Sequence, residues 1–594
     1  MGKAVKGDLR AIRMRVLDRP VPRIQMRHGS DGVIYLGCGY ELQSEPPLLI
    51  DYLERAVELR PDLTFLAERD SQGKWRRISY RQAWQQTAAI ATWLISEGFG
   101  PDGQPVMILS ENSLEHALLM LGCLLAGAAA VPISPTYSIG TDRLRLDHAL
   151  NLIQPGLVFA LGEPYASALA HVASQGWRTL AGDRFAGLLQ QRDEELVSLR
   201  RAAITRGTIA KILLTSGSTG VPKGVVNTHG NLAASAQMIR QVTDRFNPER
   251  IHTIVDWLPW HHTFGGNAQF NSVLVNAGTL YIDSGRPLPG QFTATIENLR
   301  EISPTGFGCV PSAYGMLADA LEGDADLRQK FFKNLRWLSY GGALLPQPLW
   351  ERMQWLAVQE LGERLPFGTG WGMTETSSTG VGVYWNTDRT GLVGLPAPGV
   401  TLKLVPAGDR MELRIKGDHV MPRYFRDEAR SAAAFDEEGF FRTADAVRWV
   451  HADQPIEGLE FAGRISEDFK LQSGTWVQAS LIRRDLVEAL QPYAVDAVIC
   501  APDHPWLGAL LWLNRPLDED IRKSLTAQLA AFNSSRQGSA GTITRMLVLA
   551  QPPSAAAGEI TDKGSINQRR VLELRADQVA LLYSQPAPAG IITC

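Results

Sequence analysis

The chain has 594 residues, beyond the roughly 250 to 300 at which a single hydrophobic core stops growing, so at least two domains are expected. Apolar residues make up 45% and charged residues 20%, with 15 Trp, 19 Phe and 13 Tyr, which excludes a disordered chain. A formal net charge of -3 supplies no broad positive field, so neither nucleic acid nor an anionic membrane is expected as a partner.

Taken in chain order, residues 1 to 45 open with a basic stretch (Lys3, Lys6, Arg10, Arg13, Arg15, Arg19, Arg23, Arg27). No apolar signal core follows, and Pro20 and Pro22 break any long amphipathic helix, so this reads as an exposed arm and not a transit peptide. Lys6 stands where a myristoylation signal needs Ser or Thr. From Leu49 to Leu94 apolar positions recur at helical spacing around a polar patch, Arg69 to Arg77, with a second helical stretch from Tyr80. Short buried strands (Val106 to Leu109, Ala130 to Ile133, Leu157 to Ala160) then alternate with helices (Leu114 to Ala126, Arg143 to Leu152), which predicts a layered α/β architecture. The longest apolar run, Ala117 to Val131, ends at Pro132, short of the roughly 20 residues a bilayer span needs; it reads as a buried helix. No membrane span and no repeat are expected.

Near Phe461 to Gly474 the chain turns glycine-bearing and charged. A shorter unit follows, with strands at Ala497 to Cys500, Leu510 to Leu513 and Met546 to Leu549 and helices at Ser480 to Glu488 and Glu519 to Asn533. The expected organisation is an arm (1–45), a large domain (46–464) and a small α+β domain (465–594). The last is entered at its end through a loose Ala/Pro segment, Gln551 to Ala557. Five scattered cysteines (Cys38, Cys123, Cys309, Cys500, Cys594) match neither zinc spacing nor a disulfide framework, which points to a reducing cytoplasm.

The sharpest local signal is Thr215-Ser216-Gly217-Ser218-Thr219-Gly220-Val221-Pro222-Lys223-Gly224, directly after the apolar run Ile209 to Leu214. Its glycines permit close backbone approach, so amides, hydroxyls and one ammonium can surround phosphate oxygens. A generic Gly/Ser/Thr stretch is more often a plain loop; ten residues closed by Pro-Lys-Gly favour a polyphosphate site. It is not a Walker A loop, because Lys223-Gly224 leads into another β-branched run, Val225 to Thr228, and not into a helix.

This string resembles the phosphate signature of the adenylate-forming superfamily of acyl-CoA synthetases, luciferases and peptide-synthetase adenylation domains. Ser339-Tyr340-Gly341-Gly342-Ala343, Gly370-Trp371-Gly372-Met373-Thr374-Glu375, Phe441-Arg442-Thr443-Ala444-Asp445 and Gly463-Arg464 follow in the family's order. Gly558-Glu559-Ile560-Thr561-Asp562-Lys563-Gly564 looks like its C-terminal lysine motif. Leu258 to Asn267, Glu467 to Leu471 with Gly474 to Val477, and Gly558 to Gln568 look most like bacterial feruloyl-CoA synthetases. The resemblance implies a large domain of layered sheets and helices, a small mobile C-terminal α+β domain, and a carboxylic acid, ATP, Mg²⁺ and coenzyme A as ligands.

It also implies roles. Thr215, Ser216, Gly217, Ser218, Thr219, Gly220 and Lys223 would wrap the β- and γ-phosphates, Thr374 would touch the α-phosphate, and Glu375 would anchor Mg²⁺, which takes one or two carboxylates. Asp445 and Arg464 would hold the ribose, although Ala444 replaces the family's glycine. Gly341, Gly342, Ala343, Trp371 and Gly372 would enclose adenine. His262 would gate the carboxylate pocket; its neighbour His261 reads as packing. The walls of the acyl pocket would come from near Phe264, Gly308 to Tyr314 and Gly341. Lys563 would bridge the carboxylate and the α-phosphate, then leave as the small domain rotates about a point near Ser466. The competing readings are an adenylating enzyme that loads a different aryl or fatty acid, acyl transfer to a carrier protein or to oxygen, and a nucleotide sensor without catalysis; the presence of Lys563, Glu375 and Thr374 argues against the sensor.

Overall fold

The computed structural model describes residues 8–44, 48–140, 143–216, 222–243, 247–288, 290–473, 475–500, 504–536, 538, 541–554, 557–560, 566–588 and 590–593. At Ser216 and Ser466 the description covers the backbone alone. Expectations placed on residues 217–221, 474 and 561–565, including Gly217, Ser218, Thr219, Gly220 and Lys563, lie outside the described residues.

Three sheets build the body of the molecule up to Arg464. In the six-stranded sheet Val106–Ile108 pairs in parallel with both Ala130–Pro132 and Leu157–Ala160, and Ile209–Ser216 joins Ala130–Pro132. These strands are buried, as parallel strands covered on both faces must be. Helix Leu114–Ala126 carries the long apolar run. Ser113 caps its N-terminus, Gly127 in the left-handed region ends it, and twelve of its residues are buried.

The stretch Leu49 to Leu94 departs from the helical expectation. Helices Asp51–Leu59 and Tyr80–Ser96 flank two strands, Thr64–Arg69 and Trp75–Ser79, which pair in antiparallel fashion and join Thr279–Ile282 and Thr253–Asp256 in a four-stranded sheet. The supposed polar patch, Arg69 to Arg77, is the turn of that hairpin, residues 70–74, together with the adjoining strand ends. Residues 24–38 also depart from the exposed-arm reading. They form strands Ile24–His28 and Ile34–Cys38, and the second pairs with Thr401–Ala407 to extend an eleven-stranded sheet. Leu36 is wholly buried there.

Beneath that hairpin lies a buried ion cluster. Asp436 Oδ2 accepts from Lys403 Nζ at 2.9 Å and from Arg414 Nη1 at 3.1 Å, while Tyr35 OH bonds Glu438, the other partner of Lys403. Burial works to raise the Asp436 carboxyl, but Lys403, the Phe440 amide and Arg414 outweigh it and hold it at about 2. A pKa below its unfolded value of 3.8 gives stability that is present above that value and lost as pH falls through about 2, worth about 2 kcal/mol. Urea midpoints of Asp436→Asn followed from about pH 5 to about pH 2 should therefore fall less steeply than those of the unmodified protein, by the share of this one carboxylate. An acid limb of equal slope in both proteins would contradict this.

After Arg464, strands Ala494–Cys500, Leu507–Leu513, Ile543–Val548 and Ile591–Thr593 form a separate four-stranded sheet. Helices Ala479–Ala489 and Glu519–Ser534 pack on it over their own apolar cluster. Among the described residues no helix is long and apolar enough to cross a membrane.

Candidate active site

Two strands deliver the ends of the candidate phosphate loop. Ile209–Ser216 and Pro222–Thr228 are antiparallel, with Lys223 opposite Thr215 and Pro222 opposite Ser216. Thr215 Oγ is buried and has no partner among the described residues. Lys223 Nζ donates to Glu375 Oε1 and to Tyr424 OH, both at 2.7 Å, and Tyr424 OH donates to the same Glu375 oxygen at 3.0 Å. Burial first, and the Glu375 charge second, push the Tyr424 phenol far up, so it stays a donor. The Glu375 side chain is 4% exposed, with its backbone carbonyl held by the Met421 amide at 2.8 Å.

Thr374 and Glu375 sit on a short 3-10 turn, Thr374–Thr376. The chain leaves it through two residues in the left-handed region, Ser377 (φ 50°) and Ser378 (φ 80°). Each costs about 1 to 3 kcal/mol in a non-glycine residue, so the surroundings must impose the step. Gly372 shows one such constraint, since a Cβ there would meet the Ser378 carbonyl oxygen at 2.4 Å.

The ribose candidates also converge. Asp445 Oδ2 accepts from Trp371 Nε1 at 2.8 Å, and Asp445 Oδ1 lies 3.4 Å from Arg464 Nε. Ala444 adopts φ 59°, a left-handed backbone in a residue that is not glycine. Trp371 thus aligns the Asp445 carboxylate; among the described residues it is Gly370 and Gly372 on either side, not the indole, that line the cavity.

That cavity measures about 1050 Å³. Its walls include His262, Phe264, Gly341, Gly342, Ala343 and Ser378. Gly342 is in the left-handed region, and a Cβ on Gly341 would press on the Phe264 ring at 3.1 Å, so the pair of glycines lets both chain and ring approach. Arg483, Asp496 and Ile560 from the C-terminal segment line it too. His261 is held neutral, its pKa driven down to about 3 by burial and then by His116 and Arg286. Among the described residues no three His, Cys, Asp or Glu side chains gather to hold a metal. Glu375 beside a phosphate loop fits magnesium, which draws its other ligands from phosphate and water.

The motif residues were visible in the sequence; Tyr424, which completes the knot around Glu375, was not. It lies 49 positions from Glu375, with no local pattern to mark it.

The family model described as AMP-binding enzyme matches residues 53–425. The chain is 27% identical over 406 residues to "Feruloyl-CoA synthase" of Amycolatopsis sp, covering 64% of this chain and 75% of that protein. It is 25% identical over 581 residues to "Medium-chain fatty-acid--CoA ligase" of Escherichia coli K12, covering 87% and 95%. Among solved structures, ATP-bound MatB from Rhodopseudomonas palustris superposes with a TM-score of 0.71 at 21% identity, over 89% of this chain and 99% of that one. The anthranilate CoA ligase AuaEII in complex with anthranoyl-AMP gives 0.71 at 19% identity, over 90% and 98%. The adenylate-forming fold, read from spaced motifs, is therefore shared along nearly the whole chain. With its phosphate-loop strands, Thr374–Glu375 turn and Asp445 all in place, and more than half its length matched, this chain belongs to the AMP-binding enzymes and is an ATP-dependent adenylating enzyme of the acid–CoA ligase type.

Proposed function

We propose that the enzyme joins a hydroxycinnamate, ferulate or a close relative, to coenzyme A through an acyl-adenylate, releasing pyrophosphate and then AMP. The observation that carries this reading is the Lys223–Glu375–Tyr424 knot, one turn from the cavity wall at Gly372 and Ser378. Attack of the substrate carboxylate on the ATP α-phosphate builds negative charge there and expels pyrophosphate. Lys223, freed from Glu375 by the arriving phosphates, neutralises the leaving group together with Thr215, Ser216 and Thr219. Glu375 holds Mg²⁺, which supplies charge compensation to the phosphates when bound. Thr374 donates to the α-phosphate, Asp445 and Arg464 hold the ribose, and Gly341, Gly342 and Ala343 face adenine.

Lys563 bridges the two anions in this first step. Residues 465–594 then turn as a unit near Ser466, clearing the path for the CoA thiol, which attacks the mixed anhydride carbon and displaces AMP. Trp476, 62% exposed with Lys470 Nζ 4.9 Å from its ring centroid, is available to CoA after that turn. The thiols of Cys38, Cys123, Cys309 and Cys500 are free, which suits a cytoplasmic enzyme.

For the acid, the aromatic side chains of Trp257, Phe264, Trp337 and Tyr340 on the cavity wall support a planar aromatic acyl group, as does the likeness to feruloyl-CoA synthase. The greater coverage of the medium-chain ligase favours an aliphatic acid as the second reading. Mass spectrometry decides between them. The enzyme is given ATP, Mg²⁺, CoA and an equimolar panel of hydroxycinnamic, benzoic and aliphatic acids. Feruloyl- or coumaroyl-CoA with AMP is the expected product. An aliphatic thioester would discard the hydroxycinnamate reading, and acyl-AMP without thioester would shift acyl transfer to a carrier protein.

A further inference from the structure

Lys211 interrupts the apolar strand Ile209–Ser216, is wholly buried, and has no carboxylate partner among the described residues. Burial pulls its pKa down to about 7, a mark of how poorly an ammonium is solvated there. An apolar side chain of similar length fills the same space without that penalty, so the ammonium needs an explanation besides packing.

Its contacts supply one. Lys211 Nζ donates to Gly266 O at 2.9 Å and to Asn267 Oδ1 at 3.3 Å, both in the π-helical turn Phe264–Gln269. The Gly266 amide in turn donates to the His262 carbonyl at 2.8 Å. Asn267 Nδ2 donates to Asn227 Oδ1 at 2.9 Å and to Thr263 Oγ1 at 3.1 Å, and Asn227 Nδ2 donates to the Thr374 carbonyl at 3.2 Å. Asn227, Asn267 and Thr374 are all buried.

Such a chain has a direction, and its two ends fix it: the Lys211 ammonium only donates and the Thr374 carbonyl only accepts. An ammonium has donors and no acceptor, whereas each primary amide can present either end. Facing Lys211, Asn267 must turn its oxygen inward and its NH₂ toward Asn227. Asn227 must then accept with its oxygen and donate to Thr374. Without the ammonium nothing holds the Asn267 oxygen inward, so Asn267 can flip and set its oxygen against that of Asn227, and the donor to the Thr374 carbonyl is then held from one end only.

We infer that Lys211 is a positioning residue for adenylation, holding Thr374 through Asn267 and Asn227, and the His262 segment through Gly266, in register with the phosphate loop. This rests on the proposed placement of Thr374 at the α-phosphate. A misplacement of about 1 Å at such a site costs up to about 100-fold in rate.

The test is a double-mutant cycle on the full-length enzyme with Lys211→Met and Asn227→Ala. Three quantities are read: acid-dependent pyrophosphate release, thioester formation from supplied acyl-adenylate, and the thermal midpoint. Each single variant should lower kcat for pyrophosphate release by about 20-fold, with KM for the acid and the thioester step within about threefold of wild type. The double variant should stay near about 50-fold, where independent residues would give about 400-fold. Lys211→Met should melt at or above the wild-type temperature, because a buried charge has been replaced by an apolar isostere. Wild-type kcat in folded Lys211→Met, or a multiplicative double variant, overturns the inference. Should the Met variant not fold, Lys211→Gln enters the same cycle with the same two outcomes. Glu375→Gln separates the failures. If it loses adenylation while Lys211→Met keeps it, only the positioning role falls; if it keeps adenylation, the site reading itself falls.

Discussion

Glu375→Gln should lower the rate of acyl-adenylate formation by about 100- to 1000-fold while leaving the protein folded. The carboxylate is the shared acceptor of Lys223 Nζ and Tyr424 OH, so it does two jobs that a neutral amide cannot. With no substrate bound it offsets the Lys223 ammonium in a place where that side chain is 19% exposed. In the proposed mechanism it would offer a hard anionic oxygen to the metal while Lys223 turned to the phosphates. An amide oxygen still accepts from Lys223 and Tyr424, so packing survives and the loss falls on the charged ligand state. Acid-dependent pyrophosphate release at several Mg²⁺ concentrations checks this, alongside the thermal midpoint. The deficit should shrink as Mg²⁺ rises but not close, because a weakened metal site is partly filled by mass action. A variant within about threefold of wild type at limiting Mg²⁺ would remove Glu375 from the metal site.

The parts of this molecule that could be read from the sequence are those whose signal is local. The phosphate loop, the Thr374–Glu375 turn and helix Leu114–Ala126 each announce themselves within about 15 residues, through glycine content or apolar periodicity. The hairpin Thr64–Arg69 and Trp75–Ser79 does not. Its first strand is buried at Phe65, Leu66 and Ala67 in succession, so it shows no alternation, and its apolar run blends into the helices on either side. The N-terminal hairpin fails for the opposite reason. Ile24–His28 is a mostly exposed edge strand, and the hairpin is anchored through its second strand, Ile34–Cys38, which pairs with residues near position 400, a partner no window can contain.

The same division runs through the active site. Asp445 is marked by its motif, but its hydrogen bond from the Trp371 indole is a contact across strands that no local pattern announces. Ala444 at φ 59° shows that a residue other than glycine can hold the left-handed region where neighbouring pairing fixes the backbone, here at a bulge between Asp445 and Val447. Lys211 carried a signal that could be weighed: one ammonium inside a run of apolar residues is either a misplaced surface residue or a buried donor with work to do. Nothing in the sequence identifies Asn267 and Asn227 as the groups it addresses.

Lys563→Ala should divide the two half-reactions more sharply than any other change, cutting adenylation by more than about 1000-fold and leaving thioester formation from supplied acyl-adenylate within about threefold of wild type. Bringing a carboxylate to the α-phosphate sets two anions against each other, and a single ammonium between them both cancels the repulsion and fixes the in-line approach. In the second step the acid is already joined to AMP as a mixed anhydride, so that repulsion is gone. The flanks of the motif are built to present it. Ile560 lines the cavity, and it pairs with Ile566 across an antiparallel bridge. Glu559 is clamped by Arg575 at 2.6 and 2.8 Å, both side chains nearly inaccessible, and its carboxylate also takes the Ser554 amide at 2.7 Å. Arginine at 563 tests the geometry, since it keeps the charge but presents a wider planar donor. Lys563→Arg should recover less than about a tenth of the adenylation rate. Equal loss of both half-reactions in Lys563→Ala would mean that this lysine serves the fold or the thiol step, and the separation of roles would fall.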